Sequence, residues 1–301
     1  TPEGVVCVER SEPGVPRLGR GLAGSSNIRL EIADVQSELR IEQLMREYQP
    51  EIVFHAAAYK HVPLMQDNPI EAFNNNVWGT MNVMQQALAQ GAARVVYVST
   101  DKAVNPTNIM GATKRIGELL LGDLAATSTF TSLSGVRFGN VLESEGSVMQ
   151  TFRRQLQRRQ NLTVTHQDIT RYFMTIDEAA QLVIQTATTG RQGDLFVLDM
   201  GEPIRVFDLA QGLIAAIDPS LDVDIIGLRP GEKMYEELSY RASSVDSTTH
   251  PKIFIVTEQS DHGAGETLGW ARDLVDRTRR YDISADALRD ELRAFGFTSL
   301  Q

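Results

Sequence analysis

VVYVSTDKAVNPTNIMGATKR, residues 95–115, is the stretch whose reading decides the fold. It opens on an apolar, β-branched run at residues 95–99 that predicts a buried strand, and it passes into a helical pattern over residues 109–124. A strand feeding a helix through a short polar turn is half of a strand-helix-strand unit, and the same alternation recurs on both sides. Upstream, strands are predicted at residues 5–8, 28–32 and 52–55; downstream they fall at residues 133–138 and 195–199. Helices lie between them. Residues 37–48 carry Leu39, Leu44 and Met45 at helical spacing ahead of Pro50, residues 74–90 end at Gly91 in the C-cap position, and residues 177–188 form another. The expected class is α/β, a Rossmann-like doubly wound parallel sheet with right-handed crossovers.

After Gly201 the alternation breaks, and Pro203, Pro219, Pro230 and Pro251 punctuate shorter elements. Residues 1–139, with residues 172–200 returning, are therefore assigned to the sheet domain, residues 140–171 and 201–245 to a smaller lobe, and residues 246–301 to a helical tail. With 301 residues, 42% hydrophobic and 23% charged, the chain can bury one substantial core. Its net charge of -10 is mixed along the sequence, which argues against a nucleic-acid surface or an anionic membrane and leaves any anionic ligand to local Arg and Lys. Cys7 is the only cysteine, so no internal disulfide forms, and no Cys/His spacing suggests a metal. No run of about 18 apolar residues and no signal peptide is present, so the chain reads as soluble.

Ligands of open parallel sheets lie at the carboxyl ends of the strands, where Thr100, Asp101 and Lys102 fall. Taken alone, that segment is equally a surface loop closed by an ion pair. On the next helix Met110 and Lys114 are one turn apart on one face; by itself this is an ordinary amphipathic helix with Met in the core. The remaining signals are ordered segments: EIVFHAAAYKHVPLM from Glu51, NNVWGTMNV, VRFGNVL, TRYFMTIDEA, FVLDMGEP and LRPGEKMYEEL.

Together, from about Val5 to Leu238, these segments resemble extended short-chain dehydrogenases, and within them the polysaccharide-biosynthesis branch acting on UDP-N-acetylglucosamine. Lys102 and Met110 match its long, membrane-anchored form; Met110 stands at the tyrosine position of Tyr-x-x-x-Lys, and Lys114 at the lysine. The resemblance implies a bacterial nucleotide-sugar 4,6-dehydratase: hydride leaves sugar C4 for a nicotinamide, the 4-ketone acidifies C5, water is lost across C5 and C6, and hydride returns at C6. It makes Lys102 the base at C5, provided a dry site or a neighbouring cation lowers its pKa, Asp101 the acid at C6, and Thr100 a hydrogen-bond partner of the C4 oxygen. The cofactor, NAD or NADP, is expected at Glu9, Arg10, Asp34, Val35, Ala56, Ala57, Ala58, Lys60, Asn76 and Lys114; Glu9 favours NAD, and Arg10 could accept a 2′-phosphate. The UDP-sugar is expected at Lys60, Asn140, Ser147, Val148, Thr163, Thr165, Arg171, Arg229 and Glu232, with both arginines on the pyrophosphate. Glu143 and Glu145 depart from the pattern, which has glycine and a neutral or basic residue there. A cytoplasmic homo-oligomer, at the inner-membrane face in full-length relatives, is the expected setting. An epimerase of the same fold is the alternative within enzymes, and an inactive remnant that only binds a partner or nucleotide sugar is the alternative outside them.

The resembling enzymes begin with a strand and a Gly-x-x-Gly-x-x-Gly turn that cradles the pyrophosphate, and nothing before Val5 supplies one. The literal Gly-x-Gly-x-x-Gly at residues 19–24 follows a proline-rich run and precedes a strand, so it is rejected as that loop. The chain thus reads as the later part of a longer product, with a sheet position left open where a central strand belongs, inviting instability or pairing with another chain.

Overall fold

The computed structural model describes residues 2–15, 19, 27–258, 263 and 265–301, so most of the Gly19–Gly24 segment lies outside the described residues. The strands begin with β1 (Val5–Glu9) and β2 (Ile28–Ile32), which pair with each other in parallel as a separate two-stranded sheet. Helix α1 (Glu38–Tyr48) returns to β3 (Ile52–His55), the edge of a six-stranded sheet. Beyond it, α2 (Val62–Asp67), α3 (Pro69–Phe73), a π-helical turn (Asn74–Trp78) and α4 (Gly79–Ala89) lead into β4 (Arg94–Val98). A 3-10 turn (Asp101–Ala103), α5 (Ile109–Thr127) and β5 (Ser132–Arg137) follow.

The lobe is built from β6 (Asn140–Val141), α6 (Val148–Gln157), β7 (Leu162–Val164), β8 (Thr170–Arg171) and β9 (Phe173–Met174). The chain then makes α7 (Ile176–Thr189) and β10 (Leu195–Leu198), and returns to the lobe through β11 (Ile204–Arg205), α8 (Val206–Ile217) and β12 (Val223–Ile225). It ends with β13 (Ser244–Ser247), β14 (Ile253–Thr257), α9 (Glu266–Arg279) and α10 (Ala285–Ala294).

The large sheet runs β13-β14-β10-β5-β4-β3, with β3, β4, β5 and β10 parallel, β14 antiparallel to β10 and β13 antiparallel to β14. This is the predicted α/β class, and the strands at residues 28–32 and 52–55 have the predicted bounds. The tail expected to be helical instead opens with β13 and β14: Ile253–Thr257 is a β-branched and aromatic run whose Ile253 is fully buried against β10. The expected single helix over residues 74–90 contains a π turn at Asn74–Trp78 before its α-helical part. No ladder joins β1–β2 to the six-stranded sheet among the described residues. The two are held through side chains, with Ala33, Ile41, Leu44 and Val83 forming a core against which Val53 of β3 packs.

The centre is dense. Val95, Val96 and Tyr97 of β4 and Leu133 and Val136 of β5 are fully buried, each aliphatic side chain contributing about 2 kcal/mol of apolar burial. Helices α9 and α10 cover the outer side of α5, where Ile109, Ile116 and Leu120 pack with Leu274, Leu288 and Leu292. No helix among the described residues is long and apolar enough to cross a membrane.

Candidate active site

Strand β4 ends in the turn that holds Thr100, Asp101 and Lys102. Asp101 donates its backbone N–H to the Phe138 carbonyl at 3.1 Å, which fixes the end of β4 beside the end of β5. The Thr100 side chain caps the turn, accepting from the Lys102 N–H at 3.4 Å and donating to Asp101 Oδ1 at 2.9 Å. Gly111 makes the next approach possible: a Cβ there would lie 2.3 Å from the Lys102 carbonyl oxygen, so only glycine lets the first turn of α5 sit against this loop.

Three acceptors surround the Lys102 ammonium. Nζ donates to Asp101 Oδ1 at 2.9 Å and to Asn140 Oδ1 at 3.0 Å, and Glu236 Oε1 lies 3.8 Å away. Burial alone would push this ammonium down, but Asp101 and Glu236 overcome that and hold it above the ordinary lysine value. The condition set on Lys102 from the sequence, a pKa lowered by dryness or a neighbouring cation, is therefore not met in the resting protein, because two carboxylates face the amine. Asp101 is completely buried, and its second oxygen, Oδ2, has no hydrogen-bond partner among the described residues. Such an acceptor, closed off from water, is a costly feature unless a ligand or a proton satisfies it.

Lys114 lies behind this turn. Its Nζ donates to the Val98 carbonyl at 2.6 Å and sits over the Tyr97 ring at 4.1 Å from the centroid. Burial pushes it down to about 7, against the opposing pull of Glu118. His55, donor or acceptor to Thr80 at 2.9 Å, is pushed down to about 3 by burial and by Lys114. Met110 is buried at 4% exposure within the core that also holds Trp78 and Ala271, so it fills space rather than offering a proton.

Beneath Thr100 a buried ion cluster anchors the strand ends. Glu118 accepts from Ser99 Oγ at 2.5 Å, from Arg137 Nε at 2.7 Å and from Arg137 Nη2 at 2.6 Å, with Arg115 Nη1 at 3.0 Å. Burial alone would raise its carboxyl, but Arg137, Arg115 and Ser99 hold it down at about 2. Glu258, just past β14, closes the cluster by pairing with both Arg137 and Arg115.

At the proposed cofactor side, Arg10 Nη1 reaches Asp34 Oδ2 at 3.4 Å and its guanidinium lies over Tyr59, 4.9 Å from the ring centroid. Glu9 Oε1 accepts from the Ser11 N–H at 2.8 Å, and Val35 packs where a Cβ on Gly79 would come within 2.6 Å. Ala56 and Ala57 are exposed just past β3, leaving open backbone where a planar group could lie. Ala58, Lys60, His61 and Glu145 line a cavity of about 200 Å³ beside them. Asn76 uses its side chain on the chain itself, accepting from the Tyr59 N–H at 2.7 Å and donating to the Tyr59 carbonyl and to Thr113 Oγ1, both at 3.0 Å. It pins the loop after β3. These residues suit a dinucleotide: an acidic residue closes β2, small residues follow β3, and two of the three Lys114 donors remain for ribose hydroxyls.

On the lobe side the segment around Gly231 is stitched to the turn. Gly231 has φ +75°, and its carbonyl accepts from Thr107 Oγ1 at 2.9 Å and Asn108 Nδ2 at 3.0 Å, while Lys233 Nζ donates to the Val104 carbonyl at 2.7 Å. Glu232 gathers the predicted lobe residues: its Oε1 takes Thr165 Oγ1 at 3.1 Å and Arg171 Nη2 at 3.2 Å, and its Oε2 takes the Arg229 N–H at 3.1 Å. Thr163 instead bonds Gln155 of α6 at 2.9 Å. Ser147 and Val148 start α6, the Ser147 hydroxyl being buried without a partner among the described residues, and Gly146 approaches the His61 ring so closely that a Cβ would come within 2.1 Å of it. Glu143 adopts φ +61° and pairs with Arg153 at 2.6 Å. The structure adds Glu236 and the Glu118–Arg137–Glu258 cluster, which sequence reasoning missed. An arginine inside the apolar run at residues 133–138 was the one visible signal.

Comparison with known proteins places the chain in a family and a fold. The Staphylococcus aureus capsular polysaccharide biosynthesis protein CapD is 43% identical over 260 residues, covering 84% of this chain and 43% of CapD. The chain thus spans less than half the length of that relative. The X-ray structure of Pen from Bacillus thuringiensis superposes with a TM-score of 0.80 at 32% identity, covering 92% of this chain and 90% of Pen. DesIV from Streptomyces venezuelae, a dTDP-glucose 4,6-dehydratase solved with NAD bound, matches in fold with a TM-score of 0.72 at 18% identity over 93% of this chain and 88% of its own. The model of one family, polysaccharide biosynthesis protein, matches residues 1–258, and the chain belongs to that family.

Proposed function

We propose that the chain carries the catalytic site of an NAD-dependent nucleotide-sugar 4,6-dehydratase acting on UDP-N-acetylglucosamine in surface-polysaccharide synthesis. One observation carries the reading: the Asp101–Lys102 pair, 2.9 Å apart at the carboxyl ends of the parallel strands, with the buried Asp101 Oδ2 unpartnered among the described residues. When bound, the nicotinamide supplies a reversible hydride store, taking hydride from sugar C4 and returning it to C6. The protein's own part is to move protons. At rest Lys102 is an ammonium and Asp101 a carboxylate. Transfer of one proton along their hydrogen bond gives a neutral amine and a carboxylic acid, which are the base and the acid that the elimination needs. The C4 hydroxyl proton is released to water as hydride leaves C4; the amine then takes the C5 proton and the acid gives its proton to the departing C6 hydroxyl as water, which restores the resting pair, and a proton from solvent is added at C5 as hydride returns to C6. Thr100, bonded to Asp101, orients it and offers its oxygen toward C4.

Arg171, 8% exposed, and Arg229 suit the two phosphates of the UDP moiety, with Thr165 and Glu232 beside them. The choice of NAD is supported by Arg10, whose guanidinium is committed to Asp34 and Tyr59 rather than open to a 2′-phosphate. An epimerase returns hydride to C4 and needs no acid for C6, so the Asp101–Lys102 pair favours dehydration. The test is incubation with UDP-N-acetylglucosamine and NAD, followed by mass spectrometry. Product lighter by one water, with at least about a hundredfold loss of turnover in Lys102→Ala, is expected. Unchanged mass with a new sugar peak indicates epimerisation, and undiminished turnover in Lys102→Ala removes the lysine from its role.

A further inference from the structure

Glu236, four residues beyond Glu232 in the same segment, has been given no role of its own, yet it lies at the centre of the charge pattern. Its side chain is 4% exposed, and Oε1 is 3.8 Å from Lys102 Nζ and 3.8 Å from Arg171 Nε. Its other oxygen, Oε2, is buried with no hydrogen-bond partner among the described residues. A carboxylate so enclosed is held by its two cations, and each cation is in turn held by it.

We infer that Glu236 is a positioning residue that clamps Lys102 in its cationic, Asp101-paired state and ties that state to Arg171 at the nucleotide end of the site. The inference rests on the reading of Lys102 as the base of the dehydration. The groups facing Lys102 are known from every side: Asp101 and Glu236 are the carboxylates, Arg171 and Lys233 the cations, and Asn140 the neutral acceptor. Asp101 and Asn140 touch the ammonium directly, whereas Glu236 acts from 3.8 Å, so its contribution is mainly charge. By favouring the ammonium, Glu236 keeps the proton on Lys102 between turnovers and sets how readily it passes to Asp101. A diphosphate that draws Arg171 toward itself leaves more of the Glu236 charge to Lys102, so filling the nucleotide end and the protonation of the base are linked.

The experiment is a pH titration of the lysine side chains of the full chain by carbon-13 NMR, labelled at Cε, in wild type and Glu236→Gln. The sequence holds five lysines, and Lys102→Arg identifies the resonance. The wild-type Lys102 resonance is expected to titrate above those of Lys60, Lys114 and Lys233, whose burial pushes them down. In Glu236→Gln its midpoint should fall by about one to two pH units, a ten- to hundredfold weaker hold on the proton. Glu236→Asp should restore part of that shift. A Lys102 midpoint in Glu236→Gln within about 0.3 units of wild type, with the fold intact by circular dichroism, overturns the inference. The titration needs no turnover, so it stands even if no dehydrated product is found. Where product is found, the acid limb of the turnover profile in Glu236→Gln should move to lower pH. A uniform loss of rate with no displacement of that limb indicates a merely structural role and also overturns the inference.

Discussion

Replacing Glu118 by Gln is the perturbation whose size follows most directly from the structure. The Glu118 carboxylate receives hydrogen bonds from Ser99 and twice from Arg137, all three residues buried, with the partly buried Arg115 3.0 Å away. Its displacement from 4.5 to about 2 converts to roughly 3 kcal/mol of stability near neutrality. Gln keeps the shape but turns an amide N–H₂ toward guanidinium donors, and breaking one side of a buried pair costs about 3–5 kcal/mol. The two routes agree. A urea titration at pH 7 should show Glu118→Gln destabilised by about 3–5 kcal/mol with an unchanged m-value. The sign of the pH dependence follows from the lowered carboxyl: its contribution is present above pH 4.5 and is lost as pH falls through about 2, so the gap between wild type and variant narrows across that window. A destabilisation below about 1 kcal/mol at pH 7, or a gap that widens on acidification, refutes the account of this cluster.

Lys114→Met tests the opposite case. Burial lowers the amine from 10.5 to about 7, so between those values the unfolded chain binds a proton that the folded chain lacks, and wild-type stability rises with pH. Unfolding midpoints of Lys114→Met relative to wild type should be most favourable below pH 7, and the difference should shrink by up to about 5 kcal/mol by pH 10.5; a constant difference rules this out. Met110→Tyr places a larger ring in a filled core and should cost about 1–3 kcal/mol in urea unfolding; a neutral substitution would show that the core is looser there than its packing indicates.

Much of this architecture was legible because buried parallel strands are apolar runs and their crossover helices keep a helical period. Residues 95–98 of β4, with Val95, Val96 and Tyr97 fully buried, carry that signal undisturbed. Ile253–Thr257 carries it too, but as the last parallel-sheet neighbour it enters from the far side of Pro251, antiparallel to β10, and nothing local announces that pairing. The Asp101–Lys102 pair was legible from its place at a strand end. Its electrostatics were not, because Glu236 lies 134 residues further along the chain. Glu118, Arg137 and Glu258 likewise meet only through the fold, with separations of 19 and 121 residues. Asn76 shows the converse: a polar residue in a matched segment suggested a ligand contact, while its side chain is occupied in holding the Tyr59 backbone.

The most direct test of the proposed chemistry follows one hydrogen. UDP-N-acetylglucosamine carrying deuterium at C4 is incubated with the protein and NAD, and the product is examined by proton and deuterium NMR. The account predicts that the label arrives in the new C6 methyl group, with a solvent hydrogen at C5. Deuterium found back at C4 of an unreduced hexose, or lost to solvent while C6 keeps its oxygen, contradicts it.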